Sequence, residues 1–239
     1  MAEALVNPAV RVKALRKRYG KLLALETVDL SVASGEAFGL VGANGAGKTT
    51  LIKCLLDLCA YESGTIRIFG LPGGEPQSRR RLAYVPERFM PAHYLRCREF
   101  IAFLARSFGE RYDAARARAM LSELELEAAV LERPVRSLSK GMTQKLGLAA
   151  AFLLARDLYV LDEPMSGLDP AARVAVKSVL ARLSAEGRTL FFTSHVLADV
   201  DELCSSIAVL DHARLRFRGS PQALRSQAGR ARRSGSQGN

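Results

Sequence analysis

A chain of 239 residues, 49% of them apolar, has ample material for a large buried core, which excludes a disordered polymer. The longest apolar candidate, Leu146 to Leu161, is broken by Arg156-Asp157, and Met1 to Pro8 lacks the charged lead and apolar stretch of a signal peptide. Neither a membrane span nor secretion is indicated, and a cytoplasmic protein is expected. The net charge of +11 fits nucleic acid, an anionic membrane surface or simply a basic solvated surface.

From the N-terminal side, Val10, Val12 and Leu15, then Leu22 to Leu25, then Val28, Leu30 and Val32 read as short strands. They surround turns at Tyr19-Gly20-Lys21 and Ala33-Ser34-Gly35. Ala37 to Val41 is a further strand, and the apolar positions Leu51, Ile52 and Leu55 continue into a helix. Ser63-Gly64 opens a strand through Thr65 to Phe69 that the run Gly70 to Gly74 should end. Leu82 to Val85 is a short strand closed by Pro86. From Cys97 to Val130 the pattern turns helical, and Ser139 to Leu154 reads as another helix. Leu158 to Leu161 is a buried strand. Asp169-Pro170 places an N-cap and an N1 proline ahead of a helix from Ala171 to Leu183. Leu190 to Thr193 and Ile207 to Leu210 are strands. Beyond Leu224, Arg225, Arg230, Arg232 and Arg233 stand among Ser, Gly, Gln and Asn without an acid, so residues 225–239 are expected to be a disordered basic tail. The alternation implies an α/β core with a helical insertion across about residues 88–155.

Between the strand ending at Val41 and the helix that follows lies Gly42-Ala43-Asn44-Gly45-Ala46-Gly47-Lys48-Thr49, which fits the phosphate-binding pattern G-x-x-x-x-G-K-[ST]. Glycines let successive N–H groups converge on phosphate oxygens, Lys48 reaches the β- and γ-phosphates, and Thr49 is a Mg²⁺ ligand. The following helix, through Thr50, adds its positive dipole end. The buried strand Leu158 to Leu161 ends in Asp162-Glu163. In P-loop enzymes an acid at this place holds Mg²⁺, and a second acid beside it takes a proton from an attacking water. Asp162 is thus the expected metal partner and Glu163 the expected base. Cys54, Cys59, Cys97 and Cys204 show no paired spacing, so neither a zinc site nor a disulfide framework is suggested; three of them sit in apolar helical contexts and read as small buried hydrophobes.

With these motifs in order, the chain resembles the ATP-binding subunit of an ATP-binding cassette (ABC) transporter from about Val10 to Leu224. Residues 42–49 match the Walker A loop and 158–163 Walker B. Leu138-Ser139-Lys140-Gly141-Met142 stands where the signature L-S-G-G-Q is expected, Ser166-Gly167-Leu168-Asp169 reads as the D-loop, and His195 in T-S-H corresponds to the switch histidine. The resemblance implies a RecA-like P-loop NTPase core with a mixed sheet, an N-terminal antiparallel β-subdomain and an inserted α-helical subdomain, together spanning 1–224. It implies ATP and Mg²⁺ as ligands, Tyr19 stacking on adenine, and His195 bonding the γ-phosphate. Ser139 and the Gly141 backbone would complete the γ-phosphate site of a second ATP-binding subunit, in a homodimer or a heterodimer.

Two departures stand out. Lys140 and Met142 replace the usual Gly and Gln of the signature, and Glu87 stands where most members have a glutamine that touches Mg²⁺ or the lytic water. Y-V-P-E with L-S-K-G-M resembles the branch that exports drugs, polysaccharides or ions with a separate ATPase subunit. The expected protein is a transport ATPase, peripheral on the cytoplasmic face of the membrane through a transmembrane permease that docks near Phe89 to Phe108, with no nucleic-acid partner. The alternatives are a soluble ABC ATPase acting on nucleic acid or ribosomes, and an ATP-sensing regulatory module.

Overall fold

A computed structural model describes residues 8–227. Its strands are β1 (Val10–Tyr19), β2 (Leu22–Val32), β3 (Ala37–Val41), β4 (Ser63–Ile68), β5 (Leu71–Pro72), β6 (Leu82–Val85), β7 (Leu158–Leu161), β8 (Thr189–Ser194), β9 (Ser206–Asp211) and β10 (Arg214–Gly219). Its helices are α1 (Lys48–Leu55), α2 (Cys97–Ser107), α3 (Ala114–Glu123), α4 (Lys140–Leu153), α5 (Pro170–Ala185) and α6 (Leu197–Asp201). Among the described residues no helix is long and apolar enough to cross a membrane.

The strands form two sheets. One is four-stranded and antiparallel, in the order β2-β1-β4-β5; the other is six-stranded, in the order β10-β9-β3-β8-β7-β6. In the second sheet β6, β7, β8, β3 and β9 run parallel and only β10 pairs antiparallel. The expected mixed sheet beside an N-terminal antiparallel sheet is what the chain forms.

Period-two alternation divides the interior. Leu158 and Val160 of β7, with Phe38, Leu40 and Phe191, pack toward α1 and the antiparallel sheet. Tyr159 and Leu161, with Phe192 and Leu190, face α2, α3, α4 and α5 instead. All four β7 side chains are buried, as a parallel strand covered on both faces requires.

Several boundaries differ from the sequence reading. The segments Leu22–Leu25 and Val28–Val32 are one strand, because Thr27 takes φ 51° and forms a bulge that keeps Leu25 and Val28 on the buried side. Ala14 (φ 48°) makes a matching bulge on β1, and its N–H donates to Asp29 Oδ1 at 2.9 Å. The run after Phe69 does not end the sheet: Phe69-Gly70, both at positive φ, turns the chain into β5.

The helical pattern from Cys97 to Val130 is broken. Gly109 at φ 77° ends α2, and Asp113 Oδ1 caps α3 by accepting from the Ala115 and Arg116 N–H groups. Glu125 at φ 53° ends α3, and 3₁₀ turns at Ala128–Glu132 and Val135–Ser137 lead to α4. Every regular element between β6 and β7 is therefore helical. Asp169 caps α5 through Ala172 N at 2.9 Å, with Pro170 at the first helical position, as expected. Helix α6 and strand β10 were not anticipated. Of the expected tail, residues 225–227 continue a helical stretch and Arg225 pairs with Asp201 at 2.7 Å; residues 228–239 lie outside the described residues.

Candidate functional site

The end of β3 delivers a loop whose glycines are dictated by space. A Cβ at Gly42 would collide with the Leu210 carbonyl oxygen; at Gly47, where φ is 113°, it would lie 2.5 Å from the Ala24 oxygen. Only glycine fits both places. Ala46 is buried behind the loop, while Ala43, Asn44, Gly45 and Gly47 line its open side. Lys48 is 6% exposed; its Nζ donates to the Gly42 and Ala43 carbonyls at 2.7 and 3.3 Å and lies 3.3 Å from Glu163 Oε1.

The carboxylates arrive from the end of β7. Asp162, 1% exposed, accepts from Thr49 Oγ1 at 2.8 Å and from Thr193 Oγ1 at 2.7 Å. The Glu163 N–H donates to the same Thr193 oxygen at 2.8 Å. This bond accompanies an unusual backbone: Glu163 is a non-glycine residue at φ 49°, a conformation that persists only where its surroundings fix it. Glu163 Oε2 is bonded to His195 Nδ1 at 2.8 Å, whereas Oε1 has the Lys48 charge contact but no aligned donor. Thr193 was not singled out by the sequence reading, although it lies in the same T-S-H segment as His195.

Hard oxygens of Thr49 and Asp162, adjacent at the P-loop, form a donor set that suits Mg²⁺, which keeps most of its shell for water and phosphate. Glu87, exposed on the rim of the same pocket, adds a third oxygen source. Among the described residues there is no cluster of three or more His, Cys, Asp or Glu that could form an all-protein metal cage.

The pocket has a volume of about 370 Å³ and also includes Tyr19, Leu22 to Ala24 and Thr50. Tyr19 is 44% exposed at the end of β1. Lys17 Nζ sits 4.5 Å from its ring centroid, so an ammonium occupies one ring face. The Tyr19 hydroxyl donates to Cys59 Sγ at 3.6 Å; this bond, then burial, raises its pKa above the ordinary phenol range.

Ser139 and Gly141 do not join this pocket. Ser139 caps α4, its Oγ accepting from Met142 N at 3.2 Å. The Lys140 side chain runs along the D-loop, its Nζ 3.5 Å from where a Gly167 Cβ would sit. Thus Tyr19, the P-loop, Thr49, Thr50, Glu87, Asp162, Glu163 and His195 converge, and the signature segment lies apart. Cys54, Cys97 and Cys204 are buried as expected, but Cys54 and Cys59 approach to 3.5 Å between sulfurs, a pairing the spacing did not suggest.

A family model described as ABC transporter matches residues 25–166. An uncharacterized ABC transporter ATP-binding protein of Synechocystis sp. is 38% identical over 203 residues, which are 84% of this chain and 57% of that protein. A second, from Nostoc sp., is 38% identical over 207 residues, 85% of this chain and 62% of its own. The chain thus spans about three fifths of the length of these two relatives. Nod factor export ATP-binding protein I of Ralstonia nicotianae is 36% identical over 224 residues, 91% of this chain and 69% of that protein. A solved ATP-binding subunit of an ABC transporter superposes with TM-score 0.83 at 32% identity, covering 92% of this chain and 93% of that one. A dimeric ATP-binding cassette in a post-hydrolysis state with ADP and Pi superposes with TM-score 0.80 at 21% identity, covering 89% and 98%, and bears on the fold alone.

Proposed function

The chain belongs to the ABC transporter family, and from that premise we propose that it is the ATP-hydrolysing subunit of an export-type transporter. ATP is the substrate, cleaved to ADP and phosphate. The observation that carries this reading is Glu163: it lines the nucleotide pocket with Oε2 held by His195, while Oε1 is buried against the Lys48 ammonium without an aligned donor. A carboxylate with one oxygen fixed and the other held only by a charge contact that phosphate can displace is suited to accept a proton from an attacking water.

The other residues take complementary parts. Tyr19 stacks on the base, and the loop N–H groups with Lys48 stabilise phosphate charge. Thr49 and Asp162, with Glu87 at the rim, hold Mg²⁺, which when bound neutralises charge on the phosphates. His195 keeps Glu163 in position and reaches the γ-phosphate. Ser139 and Gly141, remote from this chain's own pocket, complete the site of a second ATP-binding subunit across a dimer. Ser139 caps α4 as an acceptor, which leaves its hydroxyl proton to donate.

The permease would dock in a groove of about 810 Å³ between β6 and the helical segment, where Tyr84, Phe89, Phe100, Leu104 and Phe108 provide an apolar floor and Arg79 and Arg80 a basic rim. Such docking would hold the chain at the cytoplasmic membrane surface. The test is Glu163→Gln in the complex with its permease. Turnover should drop by about 10²–10⁴-fold while ATP binding survives. Unchanged turnover would remove Glu163 as the base, and a wild-type complex that releases no phosphate would make the chain a sensor.

A further inference from the structure

The end of α1 carries a feature the hydrolytic site does not use. Cys54 lies in the last turn of α1 and is 2% exposed. Asp57 at φ 59° and the Leu58 N–H bond to the Lys53 carbonyl at 2.8 Å curl the chain back on itself. That reversal brings Cys59, partly exposed, to a sulfur–sulfur distance of 3.5 Å from Cys54. Cys59 is also the acceptor for the Tyr19 hydroxyl. Tyr19 in turn lies beside Thr50, next to Thr49 of the P-loop. Two thiols, a tyrosine and the base end of the pocket therefore form one continuous contact chain. Cys97 and Cys204, both buried, have no comparable sulfur neighbour among the described residues.

We propose that Cys54 and Cys59 are a peroxide-sensitive dithiol whose oxidation to a disulfide loosens Tyr19 and weakens binding of the adenine base. The proposal rests on Tyr19 being the base-stacking residue. A disulfide needs the sulfurs about 2.05 Å apart, so the present gap must close by roughly 1.5 Å. Cys54 is fixed in the helix and the core, so Cys59 supplies most of the movement, drawing its sulfur away from the Tyr19 hydroxyl.

The chemistry runs in two balanced steps. The Cys59 thiolate attacks a peroxide oxygen; an S–O bond forms, the O–O bond breaks, and the departing hydroxide takes a proton to become water. Cys54 Sγ then attacks the sulfenic sulfur of Cys59. An S–S bond forms, the S–O bond breaks, and hydroxide leaves as water with the Cys54 proton. Two thiols thus give two electrons to one peroxide. Two equivalents of a small thiol reverse the process by exchange, ending as their own disulfide. The order of attack follows burial: desolvation, then the bond to Cys59, pushes the Cys54 thiol up to about 12, so Cys54 waits protonated while the more accessible Cys59 meets the oxidant.

The test treats the reduced full chain with hydrogen peroxide, maps the product by peptide mass, and measures ATP and inorganic tripolyphosphate binding before and after, then again after dithiothreitol. The expected product is a Cys54–Cys59 linked peptide two mass units lighter, with about tenfold weaker ATP binding, the lower end of what an aromatic stack contributes. Tripolyphosphate binding should be unchanged, and dithiothreitol should restore ATP affinity. Cys59→Ser, and independently Cys59→Ala, should abolish both the linked peptide and the affinity change. Absence of the linked peptide, quantitative linkage with unaltered ATP binding, or an equal loss in both Cys59 variants would each overturn the proposal. Reduced protein that binds tripolyphosphate as tightly as ATP would instead overturn the base-stacking reading on which it rests.

Discussion

Thr193→Val removes one hydroxyl and leaves the volume almost unchanged. Thr193 is fully buried; its oxygen donates to Asp162 at 2.7 Å and accepts from the Glu163 N–H at 2.8 Å. The lost bond to a charged acceptor costs about 1.5–3 kcal/mol, and the stranded N–H about 1–3 kcal/mol. The two are not additive, and the valine methyl returns on the order of 1 kcal/mol of burial. A net loss of about 2–3 kcal/mol is expected. For a chain of this size that lowers the melting temperature by roughly 4–12 °C. Thr193→Ser keeps the hydroxyl and loses one methyl, about 1 kcal/mol. The discriminating assay is phosphate release titrated with Mg²⁺ alongside thermal melts. The valine variant should lose turnover more than ATP affinity and need more Mg²⁺, while serine should follow wild type. A valine variant that melts with serine and keeps the wild-type Mg²⁺ requirement would refute the assignment of Thr193 as the residue positioning both carboxylates.

Gly47→Ala should cost about 1–3 kcal/mol in backbone strain alone, because φ is 113° and the new Cβ meets the Ala24 oxygen at 2.5 Å; calorimetry should find ATP binding at least tenfold weaker. Ser139→Ala removes the cap on α4, worth about 1 kcal/mol in a melt, and should suppress turnover at dimer-forming concentrations while leaving ATP affinity of the isolated chain intact. Burial holds the Cys54 thiol protonated from its ordinary 9.0 up to about 12, and burial with the Asp162 charge does the same for Tyr84 from 10.0 to about 12. The folded chain then binds more protons than the unfolded one in that window. Stability is full below about pH 9 and declines toward 12, a slope that Tyr84→Phe should reduce in denaturant titrations.

What could be read without coordinates was whatever short-range chemistry dictates. The loop Gly42 to Thr49 needs glycines where a Cβ would strike backbone, so its identity is its geometry. The strand Leu158 to Leu161 is apolar throughout because both faces are covered, and the Asp169-Pro170 cap is a purely local device. Bulges at Ala14 and Thr27 were hidden because each shifts the alternation by one residue, and the one at Thr27 makes β2 look like two strands. Strand β10 alternates Leu215 and Phe217 with arginines, but its inner side is only half-buried and two apolar residues long, a weak signal for a strand. The Thr193–Asp162 bond joins residues 31 apart, and the Cys54–Cys59 approach depends on one reversal at Asp57; neither leaves a spacing signature.

The resting contacts of Lys48 carry a consequence for ligand exchange. One ammonium is shared among two loop carbonyls and the Glu163 carboxylate, so the pocket holds its own counter-anion in place. On the proposed roles of Lys48 and Glu163, arrival of a triphosphate would substitute one anion for another at a single cation, and the displaced carboxylate would be the group that next faces water. Occupancy of the pocket and release of the proposed base would then be two readings of one ionic swap. Neutralising the internal competitor should therefore strengthen nucleotide retention in Glu163→Gln even as its turnover fails, and slower ATP dissociation from that variant is the rate constant in which the swap is seen.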